Sequence, residues 1–223
     1  ERYSICYCYL LQAFVDFVNR DVGKFKNADL MCSFCDRILK TGGEKLGDAG
    51  VEEYLAKVVQ LFSYLTDKDL FAEIYRNQLA RRLLNSRSAS DDMERLMIGK
   101  LKLKCGSQFT SKMEGMMNDL AIGGDHEAAF SAYLKDGQET RKIDVAKIDF
   151  NVQVLTTGYW PAYKPMEVTL PSTMKEVHRG LQEVLRRDHV QTPPGVVAHT
   201  RKRDYPGQVP EVLRLASHHS PGQ

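Results

Sequence analysis

Apolar residues recur at helical spacing almost without a break through residues 1–145, and after that the period falls to two. A chain patterned this way must bury helical stripes against other helices, because short amphipathic helices seldom hold in water alone. Leu10, Leu11, Phe14, Val15 and Val18 share one face at i, i+4 and i+7 or i+8 spacing. A second segment, Leu30 to Leu39, runs into Lys40-Thr41-Gly42-Gly43, a basic last turn followed by the expected glycine stop. A third, Val51 to Leu65, repeats Val51, Leu55, Val58, Val59 and Phe62.

Four more helices are predicted in quick succession. The first, 68–84, stacks Phe71, Tyr75, Leu79 and Leu83 at i+4 intervals, and Asn85 to Ser90 reads as a loop. The second starts near Ser90-Asp91-Asp92, with Asp91 and Glu94 in capping-box spacing, and stops at Gly106. Its apolar face is Met93, Leu96, Met97 and Leu101, with Cys105 as its candidate last member. The third starts at Thr110 or Ser111, pairs Ser111 with Glu114 as a capping box, and ends before Gly123-Gly124. The fourth is short, Glu127 to about Leu134, and four helices with short joints fit an up-down bundle.

From residue 146 the pattern is that of half-buried strands. Ile148, Phe150, Val152 and Val154 alternate with polar residues, and Met166, Val168 and Leu170 do the same. A helix is expected over 172–186. Two strands alone are marginal, so something must complete this sheet. Beyond about 186 the chain turns to Arg, His, Pro and Gly, with five of the six histidines after residue 175. No regular element is expected there.

The 223 residues carry 43% hydrophobic and 27% charged side chains, ordinary for a soluble globular protein with a sizeable core. A net charge of +2 argues against a molecule built to bind nucleic acid or a membrane surface. No run of 18 apolar residues is present, so no membrane-spanning helix is expected. Glu1-Arg2-Tyr3 reads as the cut end of a longer chain. The five cysteines read as reduced thiols of a cytosolic or nuclear protein. Cys32-Ser-Phe-Cys35 lacks a second ligand pair at zinc spacing, so no metal and no cofactor are expected.

No catalytic constellation stands out. There is no GxSxG, HExxH or phosphate loop, and Asp91-Asp92 sits where helix capping explains it. A basic cluster, Arg76, Arg81, Arg82, Arg87, Arg95, Lys100, Lys102, Lys104 and Lys112, reads first as solvated helix faces. Its alternative is a stand-alone helical module that docks an acidic partner or nucleic acid through residues 76–112. Trp160, the only tryptophan, reads as core or as the lining for an added strand.

Several ordered motifs resemble the cullin family: Leu65-Thr66-Asp67-Lys68-Asp69-Leu70-Phe71, then Tyr75 and Leu79-Ala80-Arg81-Arg82-Leu83-Leu84, then Ser88 to Glu94. Cys105-Gly106, Phe109 to Met116, and Val154-Leu155-Thr156-Thr157-Gly158-Tyr159-Trp160-Pro161 follow in the same order. The likeness covers roughly residues 11–175.

The resemblance implies a mainly α fold: the end of a helical repeat plus a four-helix bundle, followed by a small incomplete α/β segment with two short strands. The segments would be 1–65, 66–145 and 146–185, with a divergent tail over 186–223. It also implies a non-catalytic scaffold of a ubiquitin ligase that binds a RING-box protein and supports protein turnover. A ubiquitin-conjugating enzyme would be engaged indirectly, and adaptor and substrate receptor only by a full-length chain. A strand from the RING-box protein would add to the sheet near Phe150, Val152, Val154, Trp160 and Val168. Arg81 and Arg82 match basic family positions and would line a basic groove. The family's C-terminal modifier lysine has no counterpart in these residues.

Overall fold

The computed structural model describes residues 2–20, 23–42, 46–141, 153–162, 175, 179–181, 183–184, 197–199 and 212–214. Its helices are α1 (Arg2–Val18), α2 (Asn27–Leu39), α3 (Asp48–Phe62), α4 (Lys68–Leu84), α5 (Asp91–Cys105) and α6 (Ser107–Arg141). A three-residue antiparallel pair joins β1 (Val197–His199) to β2 (Val212–Arg214) within the tail, where no regular element was expected; the short apolar piece at 209–215 supplies β2. Two compact units emerge, residues 1–114 and 115–223, and the division falls inside α6.

Local chemistry sets the helix ends. Asp67 accepts from the Leu70 amide at 3.0 Å and starts α4, and Asn85 ends it. Ser90 accepts from the Met93 amide at 3.4 Å and starts α5. Gly106 ends α5 at φ +84, a conformation that side-chain-bearing residues adopt at a cost. Asp29 accepts from the Lys26 amide at 3.1 Å at the head of α2.

In the first unit α2 packs on α3 and α4, and α3 on α5. The core is aromatic at its centre. Phe62 lies 4.8 Å from Phe71 and 5.8 Å from Phe109, and Phe71 stacks on Tyr75 at 5.8 Å. Leu39, Leu55, Leu79, Met97 and Leu101 close around them, fully buried. Each such side chain contributes about 1.5–3 kcal/mol relative to exposure. A polar seam adds to this: Thr41 donates to the Arg87 carbonyl at 2.7 Å and Ala89 to the Leu39 carbonyl at 2.8 Å. That seam fastens the end of α2 to the α4–α5 loop.

Three expectations about the helices need correction. The helices proposed on either side of Gly123-Gly124 are one continuous α6 of 35 residues. Each glycine costs a helix only about 1 kcal/mol, and no proline is present to break the hydrogen-bond ladder. The bundle segment therefore holds three helices where four were expected. Next, α6 begins at Ser107, so Ser111 and Glu114 lie inside it and form no capping box. Glu114 instead accepts from Thr110 Oγ1 at 2.6 Å and Lys102 Nζ at 2.9 Å. Finally, Glu94 caps nothing, because it is buried and paired with Arg82.

The two expected strands are not seen. Residues 148–152 and 166–170 lie outside the described residues, and 153–156 carry no strand. Within 172–186, every described residue is helical. There Leu181 and Val184 are buried, and Tyr133 donates to Glu183 at 3.0 Å.

Candidate partner-binding sites

Of the two residues expected to line a basic groove, Arg81 is exposed and Arg82 is only 2% exposed. Arg82 forks onto Glu94, with Nε to Oε1 at 2.7 Å and Nη2 to Oε2 at 3.0 Å. Its Nη1 donates to Asp36 at 2.7 Å. Glu94 also accepts from Ser88 Oγ at 3.1 Å and Tyr75 Oη at 3.4 Å. Burial opposes the Arg82 charge, but hydrogen bonds to Glu94 and Asp36 outweigh it and hold the guanidinium protonated beyond its ordinary range. This group ties α2, α4 and α5 together. It cannot present Arg82 to a partner.

The remaining basic residues are scattered. Arg87, Arg95, Lys104 and Lys112 are exposed. Lys102 pairs with Glu114 at 2.9 Å, and Lys100 meets Glu52 at 3.5 Å. A cleft of about 240 Å³ lies between α4 and α6, where Arg76 and Lys112 face Asp69 and Glu73 over Phe109 and Met113. Mixed charge of this kind makes no continuous track for phosphates.

Cys32 and Cys35 are both buried on α2. Burial pushes the Cys35 thiol up to about 12, and it pushes Cys32 higher still. Metal ligation and nucleophilic attack need the thiolate, so neither residue is poised for chemistry. No cluster of three or more metal-binding side chains occurs among the described residues. No helix among them is long and apolar enough to cross a membrane.

The second unit holds the site that the sequence left half-read. Trp160 is 7% exposed, and its Nε1 donates to Asp119 Oδ2 at 2.7 Å. The Thr156 amide donates to the same oxygen at 2.7 Å, and Thr156 Oγ1 donates to Asp119 Oδ1 at 3.0 Å. Tyr159 closes the turn with its amide on the Thr156 carbonyl at 3.0 Å. Its ring lies against Gly115, where any Cβ would collide with it. Leu155 is buried beside half-buried Val154. Phe150, Val152 and Val168 lie outside the described residues.

A family model described as the cullin alpha solenoid domain matches residues 7–127, more than half of the chain. The chain belongs to the cullin family. Cullin-1 of Oryza sativa subsp. japonica is 49% identical over 175 residues, covering 78% of this chain and 23% of the rice protein. Cullin-2 of Arabidopsis thaliana is 43% identical over 176 residues, with 78% and 23% covered. Cullin-4A of Mus musculus is 38% identical over 175 residues, with 78% and 22% covered. This cullin chain thus spans under a quarter of the length of the curated relatives it matches.

Within the cullin chain, sequence reasoning marked Trp160 but missed Asp119 and Gly115. The available signal was faint: a lone carboxylate four residues after a glycine, among Met116, Met117 and Leu120.

Proposed function

We propose that this chain is part of a non-catalytic scaffold in a cullin-RING ubiquitin ligase, and that its 146–185 segment accepts a strand from a RING-box protein. Family membership carries the reading. Two further observations support it. The alternating stretches Ile148–Val154 and Met166–Leu170 are too few to make a stable sheet by themselves. Gln153 Oε1 is buried with no hydrogen-bond partner among the described residues, an acceptor that an incoming donor would satisfy. In this reading the RING-box protein recruits the ubiquitin-conjugating enzyme. Adaptor and substrate receptor engage other parts of a full-length scaffold, and the assembly serves protein turnover in cytoplasm and nucleus.

Co-expression of residues 1–223 or 1–175 with a RING-box protein tests it, scored by co-purification at moderate and high salt. Retention by both chains through high salt is expected, since backbone pairing and apolar contacts are weakly screened. Steep loss with salt would point instead to the 76–112 basic residues. Failure of both chains, each folded, would sink the proposal.

A further inference from the structure

The cleft between α4 and the first turns of α6 is made by two helical stripes. Asp69, Glu73 and Arg76 recur at i, i+4 and i+7 on α4, and Phe109, Lys112 and Met113 at i, i+3 and i+4 on α6. Met113 is buried and Phe109 half-buried, which gives the cleft an apolar floor. Four charged side chains line the same space. Among the described residues, none of the four makes a side-chain hydrogen bond or an ion pair. Arg76 is the sharpest case. It is half-buried, and its Nε is closed off from solvent without an acceptor. A buried donor left unmade is costly, and Asp69 and Glu73 add like-charge repulsion one turn apart.

Charges of both signs that line one cleft yet leave each other unpaired are complementary to a ligand that carries both. At about 240 Å³ the cleft is smaller than the roughly 300–1,000 Å³ of small-molecule sites, and it suits one anchor side chain of a larger partner. We infer that it docks a peptide segment of another protein in which one apolar side chain lies between a carboxylate and a basic residue. The apolar anchor covers Phe109 and Met113, the carboxylate accepts from Arg76 and Lys112, and the basic group pairs with Asp69 and Glu73. A wholly acidic segment is repelled by Asp69 and Glu73, and a wholly basic one by Arg76 and Lys112. The cleft lies within the first unit and does not depend on strand addition to residues 146–185.

Methyl-labelled methionine places a nuclear magnetic resonance reporter on the floor of the cleft, its signal assigned through Met113→Leu. The probe is the peptide acetyl-Ala-Glu-Leu-Arg-Ala-amide, titrated into the 1–223 chain. A single anchor is expected to bind weakly, with a Kd of about 1 mM, and to shift the Met113 methyl. Exchanging the peptide arginine for glutamate, or its glutamate for arginine, should weaken binding about tenfold, and so should Arg76→Gln. Should Arg76→Gln lose its helical circular dichroism, Lys112→Gln at an exposed position is expected to give a smaller loss of the same kind.

A Met113 methyl that stays unmoved at about 10 mM peptide overturns the docking site. An equal response to the all-acidic peptide overturns recognition of mixed charge and leaves a merely basic surface. Undiminished binding by both Arg76→Gln and Lys112→Gln reduces the shift to apolar contact and overturns the assignment as well. Co-purification with a RING-box protein reads a different surface, so failure there leaves this inference in place.

Discussion

Arg82 and Glu94 are 12 residues apart in the chain and form the most enclosed ion pair among the described residues of the first unit, at 2% and 0% side-chain exposure. Removing one partner strands the other charge out of water, which typically costs about 3–5 kcal/mol. Arg82→Met is expected to lose that much in urea unfolding. Arg82→Met with Glu94→Leu should lose less than the single change, a non-additivity that a double-mutant cycle reads directly. The buried thiols make a second prediction. Burial above all pushes the folded Cys35 thiol up from its ordinary 9.0 to about 12. Above pH 9 the unfolded chain releases the proton and the folded chain keeps it, so stability present below pH 9 is lost progressively as the pH climbs toward 12. The urea midpoint should fall over that window, and fall less in a Cys32→Ala, Cys35→Ala double variant. An equal fall in both proteins would remove the thiols from the account.

The continuity of α6 separates its glycines into two kinds. A Cβ at Gly123 or Gly124 would meet no atom within 4 Å, whereas one at Gly115 would strike the Tyr159 ring. Gly123→Ala and Gly124→Ala are each expected to stabilise the chain by about 0.5–1 kcal/mol, the helix-propensity gain. Gly115→Ala should destabilise it despite the same gain, because the ring must move. Thermal melts followed by circular dichroism settle the signs, and destabilisation at both Gly123 and Gly124 would mean that the helix stops there. Other elements were legible from local chemistry. The borders of α4 and α5 follow from Asp67, Ser90 and Gly106 within single turns of chain. The glycine pair misled because a stop signal works only when the following residues have somewhere better to go.

Surface and core in the first unit do not divide as the apolar pattern of α1 implies. Val18 is buried, yet Leu10 is 69% exposed and Phe17 66% exposed. Asn19 holds the end of α1 to the α3–α4 connection, donating to the Tyr64 carbonyl at 2.9 Å and accepting from the Thr66 amide at 2.9 Å. Between α1 and the end of α3 an open groove of about 520 Å³ is lined by Leu10, Leu11, Phe14, Leu61 and Tyr64. Exposed apolar area of this kind drives dye binding and self-association. Leu10→Lys with Phe17→Lys is expected to reduce both in dye titration and sedimentation. Unfolding free energy should stay within about 0.5 kcal/mol, since neither side chain is part of the core.

Helical periodicity, capping residues and family motifs are written in runs of a few residues, so the sequence alone established a mainly helical member of the cullin family. The burial of Arg82 and the capture of Trp160 by Asp119 have a different origin. They join residues 12, 41 and 46 positions apart that share no local pattern. An arginine in a helix looks the same on paper whether it faces water or a carboxylate. Only the packing of α2, α4 and α5 brings Asp36 and Glu94 to Arg82, and only the docking of the Thr156–Trp160 turn makes Asp119 an anchor. Desolvation and through-space distance decide such roles, and both arise when the helices come together.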